Sequence, residues 1–179
     1  MKLIDSHCHI NDVQFNEDLD EVVSRAVDTG ISQMICVGTD INSSERAIEI
    51  AVSAHKGQVD KSGAPYILHP LRIMFSLKSE EEKIVGILHD VVEDSDWSFE
   101  DLIKEGYSEN VIRGLKSVTK IEGEDYDSFV RRAYSDPIGR NVKIADVTDN
   151  LDIKRIDEPT ESDFKRLKKY RKALKFLQN

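Results

Sequence analysis

Two hydrophobic rhythms divide this chain of 179 residues. Residues 2–5 and 33–37 (Gln-Met-Ile-Cys-Val) are short apolar runs of strand length. Between them Leu19, Val22, Val23 and Ala26 recur at helical spacing and predict a helix over 17–29. Gly30 ends that helix, and Gly38 closes the second strand. Strand, helix, strand at this spacing predicts a βαβ unit with a right-handed crossover.

Beyond Gly38 the rhythm is helical throughout. Asn42 and Glu45 read as N-cap and N3 partner of a helix over 43–56, with Ile48, Ala51, Val52 and His55 along its apolar stripe. Residues 57–69 read as a loop, and Pro70 opens a helix over 70–77. A helix over 80–94 carries Ile84, Ile87, Leu88, Val91 and Val92 on one side. Further helices are expected near 98–105, 108–119, 126–134, 138–150 and 161–177. The last shows Leu167, Tyr170, Leu174 and Leu177 on one side and seven Lys/Arg between 165 and 175. The fold class is therefore mainly α, a helical bundle with an N-terminal β-α-β segment. Two strands alone make a marginal sheet.

Charge follows the same division. Residues 1–50 hold 3 Lys/Arg against 10 Asp/Glu, and residues 51–179 hold 22 against 24. The total of −9 disfavours polyanionic partners, so neither nucleic acid nor a membrane surface is expected. No apolar run reaches membrane-spanning length, and Met1-Lys2 leads into Leu3-Ile4-Asp5 without a signal-peptide core. Cys8 and Cys36 have no CxxC partner, which excludes a cysteine zinc site. They fit a reduced compartment, so a cytoplasmic protein is expected.

Candidate chemistry gathers at three places. On a wheel of about 100° per residue with His89 at zero, Asp90 falls at about 100°, Glu93 at about 40° and Asp94 at about 140°. An imidazole and three carboxylates thus leave one side of the 80–94 helix, and Gly86 sits among them, leaving room for something to approach. Such carboxylates repel one another unless a cation joins them. Asp146 and Asn150 stand at i and i+4, with Lys143 a turn earlier: Asp146 can complete a metal shell, while Asn150 and Lys143 can hold an anion. His69 precedes Pro70, which biases it out of the helical region and lets its ring turn toward another element. Each place alone has a bland reading: a solvated acidic face, polar decoration, a satisfied histidine. Together they favour a site.

The ordered set resembles the HD-domain superfamily, and within it the RelA/SpoT-type alarmone hydrolases. The resemblance runs from about Ala51 to Leu177. It is carried by Ala54-His55-Lys56-Gly57-Gln58, by Lys61-Ser62-Gly63-Ala64-Pro65-Tyr66-Ile67-Leu68-His69-Pro70-Leu71, by Leu88-His89-Asp90-Val91-Val92-Glu93-Asp94, by Leu115 through Thr119-Lys120, and by Lys143-Ile144-Ala145-Asp146 to Asp149-Asn150-Leu151. The resemblance implies a metal, in these families usually manganese, on His69, His89, Asp90 and Asp146. By ligand chemistry alone Mn²⁺, Zn²⁺ and Fe²⁺ suit such a set about equally. It further implies that Glu93 and Asp94 orient and deprotonate the attacking water, and that Lys61, Ser62 and Asn150 lie near base and ribose. The residue before Lys61 is often basic in the family; here it is Asp60. His55 sits on the apolar stripe and reads as packing or support rather than as a ligand.

The implied reaction is hydrolysis of the 3′-pyrophosphate of guanosine tetra- or pentaphosphate, the alarmone of the stringent response. The chain ends at Asn179, without room for the synthetase domain of bifunctional relatives, so a hydrolase-only form is expected. Two alternatives stay open: another nucleotide substrate such as NADPH or a nucleoside phosphate, or a fusion with little activity, natural or engineered.

Residues 1–51 resemble the start of TatD-type metal-dependent DNases, which are TIM barrels. Asp5-Ser6-His7-Cys8-His9 is similar to their first-strand metal motif, and Val37-Gly38-Thr39-Asp40 to the end of their second strand. A barrel needs eight strands and about 200 residues or more. Nuclease activity is therefore not expected, and His7 and His9 read as residues inherited without a site. The expected organisation is a TatD-like β-α-β segment over 1–42 and an HD-domain phosphohydrolase over 43–179, joined near 42–52. Strand edges in the first segment offer a route to a homodimer.

Overall fold

The computed structural model describes residues 3–8, 18–36, 41–156 and 158–179. It divides into two compact units, Met1–Ile41 and Asn42–Asn179. In the first unit β1 (Leu3–Cys8) and β2 (Ile31–Cys36) pair in parallel, Leu3 opposite Ile31 and Cys8 opposite Cys36, with α1 (Leu19–Asp28) between them in sequence. Asp20 and Glu21 lie at the positive end of α1 and Arg25 in its last turn, a placement that complements the helix dipole. Gly30 follows with φ of 95°, a left-handed conformation that a glycine adopts without a Cβ clash.

The second unit is helical: α2 (Ile41–Ala54), α3 (Leu68–Ser76), α4 (Glu80–Leu88), α5 (Val91–Asp94), α6 (Phe99–Lys104), α7 (Glu109–Val118), α8 (Tyr126–Ser135), α9 (Pro137–Asn150) and α10 (Glu161–Leu177), with one 3-10 turn over Ile153–Arg155. No helix among the described residues is long and apolar enough to cross a membrane. Side-chain caps set the starts. Ser79 with Glu82, Ser98 with Asp101 and Thr160 with Asp163 form reciprocal capping boxes on α4, α6 and α10. Pro137 occupies the first turn of α9, behind the Asp136 cap.

The main core joins α2, α3, α4, α6, α7 and α9 through Ile50, Ile73, Ile87, Leu88, Leu102, Leu115 and Val142, all essentially inaccessible. A smaller cluster seats α10 against α8 through Val130, Ala173 and Leu177. The α4–α7–α9 contacts hold three of the elements that carry or support the candidate site residues.

Five expectations need correction. The first helix of this unit starts at Ile41, so Asn42 is inside it and is not its N-cap. Its buried stripe is Ala47, Ile50 and Ala51, while Val52 is exposed. Helix α3 starts at Leu68, so His69 is helical despite preceding Pro70. Proline is tolerated in a first turn because the amides there have no intrahelical partner, and burial of His69 outweighs the steric bias. The expected 80–94 helix is two helices with a turn at His89–Asp90. Asp90 has φ −100° and ψ −4°, off helical values, and its carbonyl then accepts the Asp94 amide at 2.9 Å. Finally, Gly86 does not open the site. A Cβ there would stand 2.6 Å from Leu77 Cδ1 and 3.2 Å from Ile73 Cγ2, so the missing side chain lets α3 and α4 approach closely.

Candidate active site

Four elements bring His69, His89, Asp90 and Asp146 together: the first turn of α3, the turn after α4, the start of α5 and the middle of α9. One ligand atom each from His69, His89 and Asp90 lies within 4.8 Å of the others. His69 Nε2 stands 3.5 Å from Asp146 Oδ1 and 4.0 Å from Asp90 Oδ2. His89 Nε2 stands 3.0 Å from Asp90 Oδ2.

Each ring is aimed by its other nitrogen. His89 Nδ1–H donates to the Gly86 carbonyl at 2.9 Å, where the helix breaks. That bond leaves Nε2 as the lone-pair nitrogen facing the cluster. Buried His89 Nε2 makes no well-aligned hydrogen bond, although it stands beside Asp90 Oδ2 at 3.0 Å. His69 Nδ1 lies 2.6 Å from Asp149 Oδ2, and Arg72 grips the same carboxylate through Nε at 2.6 Å and Nη2 at 3.0 Å. Tyr66 donates its hydroxyl to Asp90 Oδ2 at 2.5 Å.

Asp146 is buried between two donors. Lys143 Nζ donates to Oδ2 at 2.8 Å and Asn150 Nδ2 to Oδ1 at 2.6 Å. Burial raises the Asp146 pKa, but the Lys143 ammonium and the histidines hold it well below the ordinary carboxylate range. Burial likewise lowers His69, yet its bonds to Asp146 and Asp149 carry it up to about 9. Burial, with Asp90 nearby, pushes Glu93 and Asp94 above the ordinary range. The cluster therefore attracts positive charge at one point. Two imidazole nitrogens with carboxylate oxygens form a donor set suited to a divalent metal.

A cavity of about 370 Å³ opens beside this cluster, in the size range of small-molecule sites. His69, Asp90, Asp146, Lys61, Ser62 and Asn150 all line it. Glu93 and Asp94 stand outside that lining: Glu93 Oε1 accepts the Lys120 amide at 2.6 Å, and the Asp94 carbonyl accepts Gln58 Nε2 at 3.2 Å. Lys143 also stands outside it, buried with its ammonium 4.2 Å from the centre of the Phe129 ring. The Ser62 hydroxyl donates to Asp60 Oδ1 at 2.5 Å, and that oxygen also receives the Ser62 and Ala64 amides. Asp60 thus shapes the loop that presents Lys61. His55 is buried, with Nδ1 2.9 Å from Gln58 Oε1 and its ring 4.9 Å from that of Tyr66. His9 lies outside the described residues, and of His7 only its backbone place in β1 is described.

The sequence alone did not single out Tyr66, Arg72 and Asp149. Asp149 had a readable signal, since it lies one helical turn after Asp146. Tyr66 lies within the run Lys61 to Leu71 but carries no periodic cue. Arg72 carried no cue in spacing or residue type.

Comparison with known proteins points to two sources. The family described as TatD related DNase matches residues 4–96, just over half of the chain and past the expected seam. The guanosine-3′,5′-bis(diphosphate) 3′-pyrophosphohydrolase of Aquifex aeolicus is 34% identical over 119 residues, covering 60% of this chain and 17% of that protein. The protein of the same name from Borreliella burgdorferi is 40% identical over 80 residues, covering 42% and 12%. A GTP pyrophosphokinase of Streptomyces coelicolor is 32% identical over 120 residues, covering 60% and 14%. The chain thus spans less than a fifth of these relatives' lengths. A solved metazoan ortholog of SpoT, described as hydrolyzing ppGpp, superposes with a TM-score of 0.63 at 21% identity, over 79% of this chain and 88% of the other. That likeness shows the fold. Over residues 4–96 the chain belongs to the TatD-related DNase family, and the rest of its likeness is to the pyrophosphohydrolases in sequence and to the SpoT ortholog in fold.

Proposed function

We propose that the helical unit is a metal-dependent phosphohydrolase that removes the 3′-pyrophosphate of guanosine tetra- or pentaphosphate. The observation that carries this is the convergence of ligand atoms of His69, His89 and Asp90 within 4.8 Å of one another, with Asp146 Oδ1 3.5 Å from His69 Nε2, beside a cavity that His69, Asp90 and Asp146 line. The relatives named for this reaction, from Aquifex and Borreliella, are 34% and 40% identical to parts of this chain and support the choice of substrate.

His69, His89, Asp90 and Asp146 would hold the ion, with Mn²⁺ as the proposed metal. When bound there, a divalent cation neutralises phosphate charge and lowers the pKa of water. Glu93 or Asp94, both held above the ordinary carboxylate range by burial, accepts the proton of the attacking water. The water oxygen bonds to the phosphorus attached to O3′, the P–O3′ bond breaks, and O3′ takes a proton as pyrophosphate leaves. Tyr66 steadies Asp90, and Arg72 with Asp149 steadies His69. Lys61, Ser62 and Asn150 meet the nucleotide, while Lys143 acts through Asp146 as its counter-charge. Asp60 favours a second reading with another nucleotide, such as NADPH, because it places a carboxylate on the cavity wall.

Purified protein with Mn²⁺ is expected to release pyrophosphate from guanosine tetraphosphate. Inert protein on that substrate, with phosphate release from NADPH, would replace the first reading by the second.

A further inference from the structure

Glu93 and Asp94 stand on α5, a helix of only four residues with no side-chain cap at its start. One helical turn is not stable by itself, so its geometry depends on what grips it from outside. The Lys120 amide holds the Glu93 carboxylate, and two side chains hold the ends of the helix. Tyr66 donates to Asp90 Oδ2 at 2.5 Å just before α5, and Gln58 Nε2 donates to the Asp94 carbonyl at 3.2 Å at its last residue. Both side chains meet His55, which is buried just beyond the end of α2. His55 Nδ1 lies 2.9 Å from Gln58 Oε1, and the His55 ring lies 4.9 Å from that of Tyr66. The Tyr66 amide in turn donates to the Gln58 carbonyl at 3.0 Å. Bond directions along this chain are forced. A backbone carbonyl only accepts, so Gln58 turns its NH₂ to Asp94 and its oxygen to His55, and His55 Nδ1 carries a proton. The other ring nitrogen, Nε2, is buried and has no hydrogen-bond partner. Burying an unpaired nitrogen is costly, and an apolar side chain would fill this place without that cost. Among the described residues, the bond to Gln58 is what a histidine supplies here that an apolar residue would not.

We propose that His55 is a positioning residue: by fixing the Gln58 amide and backing the Tyr66 ring it braces α5, and so holds the Glu93 and Asp94 carboxylates in place beside Asp90. It touches neither the metal ligands nor the substrate cavity directly and acts through Gln58 and Tyr66. Its consequence for the rate rests on the reading of Glu93 and Asp94 as proton acceptors, while the bracing of α5 is measured without that reading.

Hydrogen exchange measured by mass spectrometry on the manganese-loaded full chain reads α5 through the segment 90–96, where the Asp94 amide donates to the Asp90 carbonyl at 2.9 Å. His55→Phe keeps a ring but loses the donor. It is expected to speed exchange in 90–96 about tenfold while the core segment 111–118 keeps its rates. His55→Asn, whose amide can donate from the place of Nδ1, is expected to restore protection to within about threefold. With guanosine tetraphosphate as substrate, His55→Phe should lower kcat about 30-fold while KM changes less than about threefold, and His55→Asn should recover most of that loss. Adding Gln58→Met to His55→Phe should cost little more than either change alone, since both cut one link. Tm of each variant reports whether the fold is intact, and Gln58→Met replaces the Phe variant if that one is unstable. Unchanged exchange in 90–96 of an intact Phe or Met variant overturns the proposal, as does an unchanged kcat beside a loosened α5. Protein inert on guanosine tetraphosphate whose exchange in 90–96 still depends on His55 would overturn the hydrolase reading and leave the bracing of α5 standing.

Discussion

The two units face the same burial problem with different means. In the first, α1 places Val22, Val23 and Ala26 only partly out of water, and Val27 is 57% exposed. None of its described side chains is fully buried. In the second, the five consecutive residues Ile84 to Leu88 are all buried. The difference is one of layers. Among the described residues, two strands and one helix have few faces with which to enclose an interior, whereas the nine helices of the second unit bury one another's apolar sides. Enclosure also decides where chemistry can occur, because only a closed interior can hold imidazoles and carboxylates at fixed distances away from water.

The strongest way to break this comparison is through activity. Asp90→Ala or Glu93→Ala should lower pyrophosphate release at least about 100-fold, as should a chelator, while His7→Ala should leave the rate unchanged. A rate that follows His7 would move the chemistry to the first unit. Next, Leu88→Ala should cost about 2–5 kcal/mol in denaturant unfolding, because Leu88 is fully enclosed. Asp149→Ala should weaken metal affinity about 10–100-fold by calorimetry, since it removes the carboxylate that orients His69.

A smaller effect concerns pH. The Thr160 and Lys61 bonds hold Asp163 well below the usual carboxylate range. Its folded pKa lies below its unfolded value, so the unfolded chain binds the extra proton first. The stabilisation is complete above the unfolded value of about 3.9 and is lost as pH falls further. Thermal unfolding between about pH 5 and 2 should thus be flatter for Asp163→Asn than for wild type. The least effect is expected from Val27→Ala, within about 0.5 kcal/mol. A cost as large as that of Leu88→Ala would show that the first unit encloses more than its exposure suggests.

The helices were legible because their apolar positions recur: 108–119, 138–150 and 161–177 agree within two residues with α7, α9 and α10. The turn at His89–Asp90 was not legible, since Ile84, Ile87, Leu88, Val91 and Val92 continue the period across it. The break follows from a side chain bonding to the backbone, which periodicity does not register. Gly86 was misplaced for a related reason. A wheel assigns a face to each residue but does not say what packs there, and Leu77 and Ile73 decided that.

From the sequence alone follow the helical and strand periods, the ordered His, Asp and Glu positions of the second unit, and the family likenesses they carry. These are local or additive properties, readable from spacing and residue type. The tertiary structure decided the rest. It set Asp149 and Arg72 behind His69, turned Lys143 inward to Asp146, and placed Arg166 on the cavity wall with its Nε unpaired. Those outcomes depend on which helices meet and at what distance. A hydrogen bond of about 2.6–2.9 Å between residues far apart in sequence has no signature in either residue taken by itself.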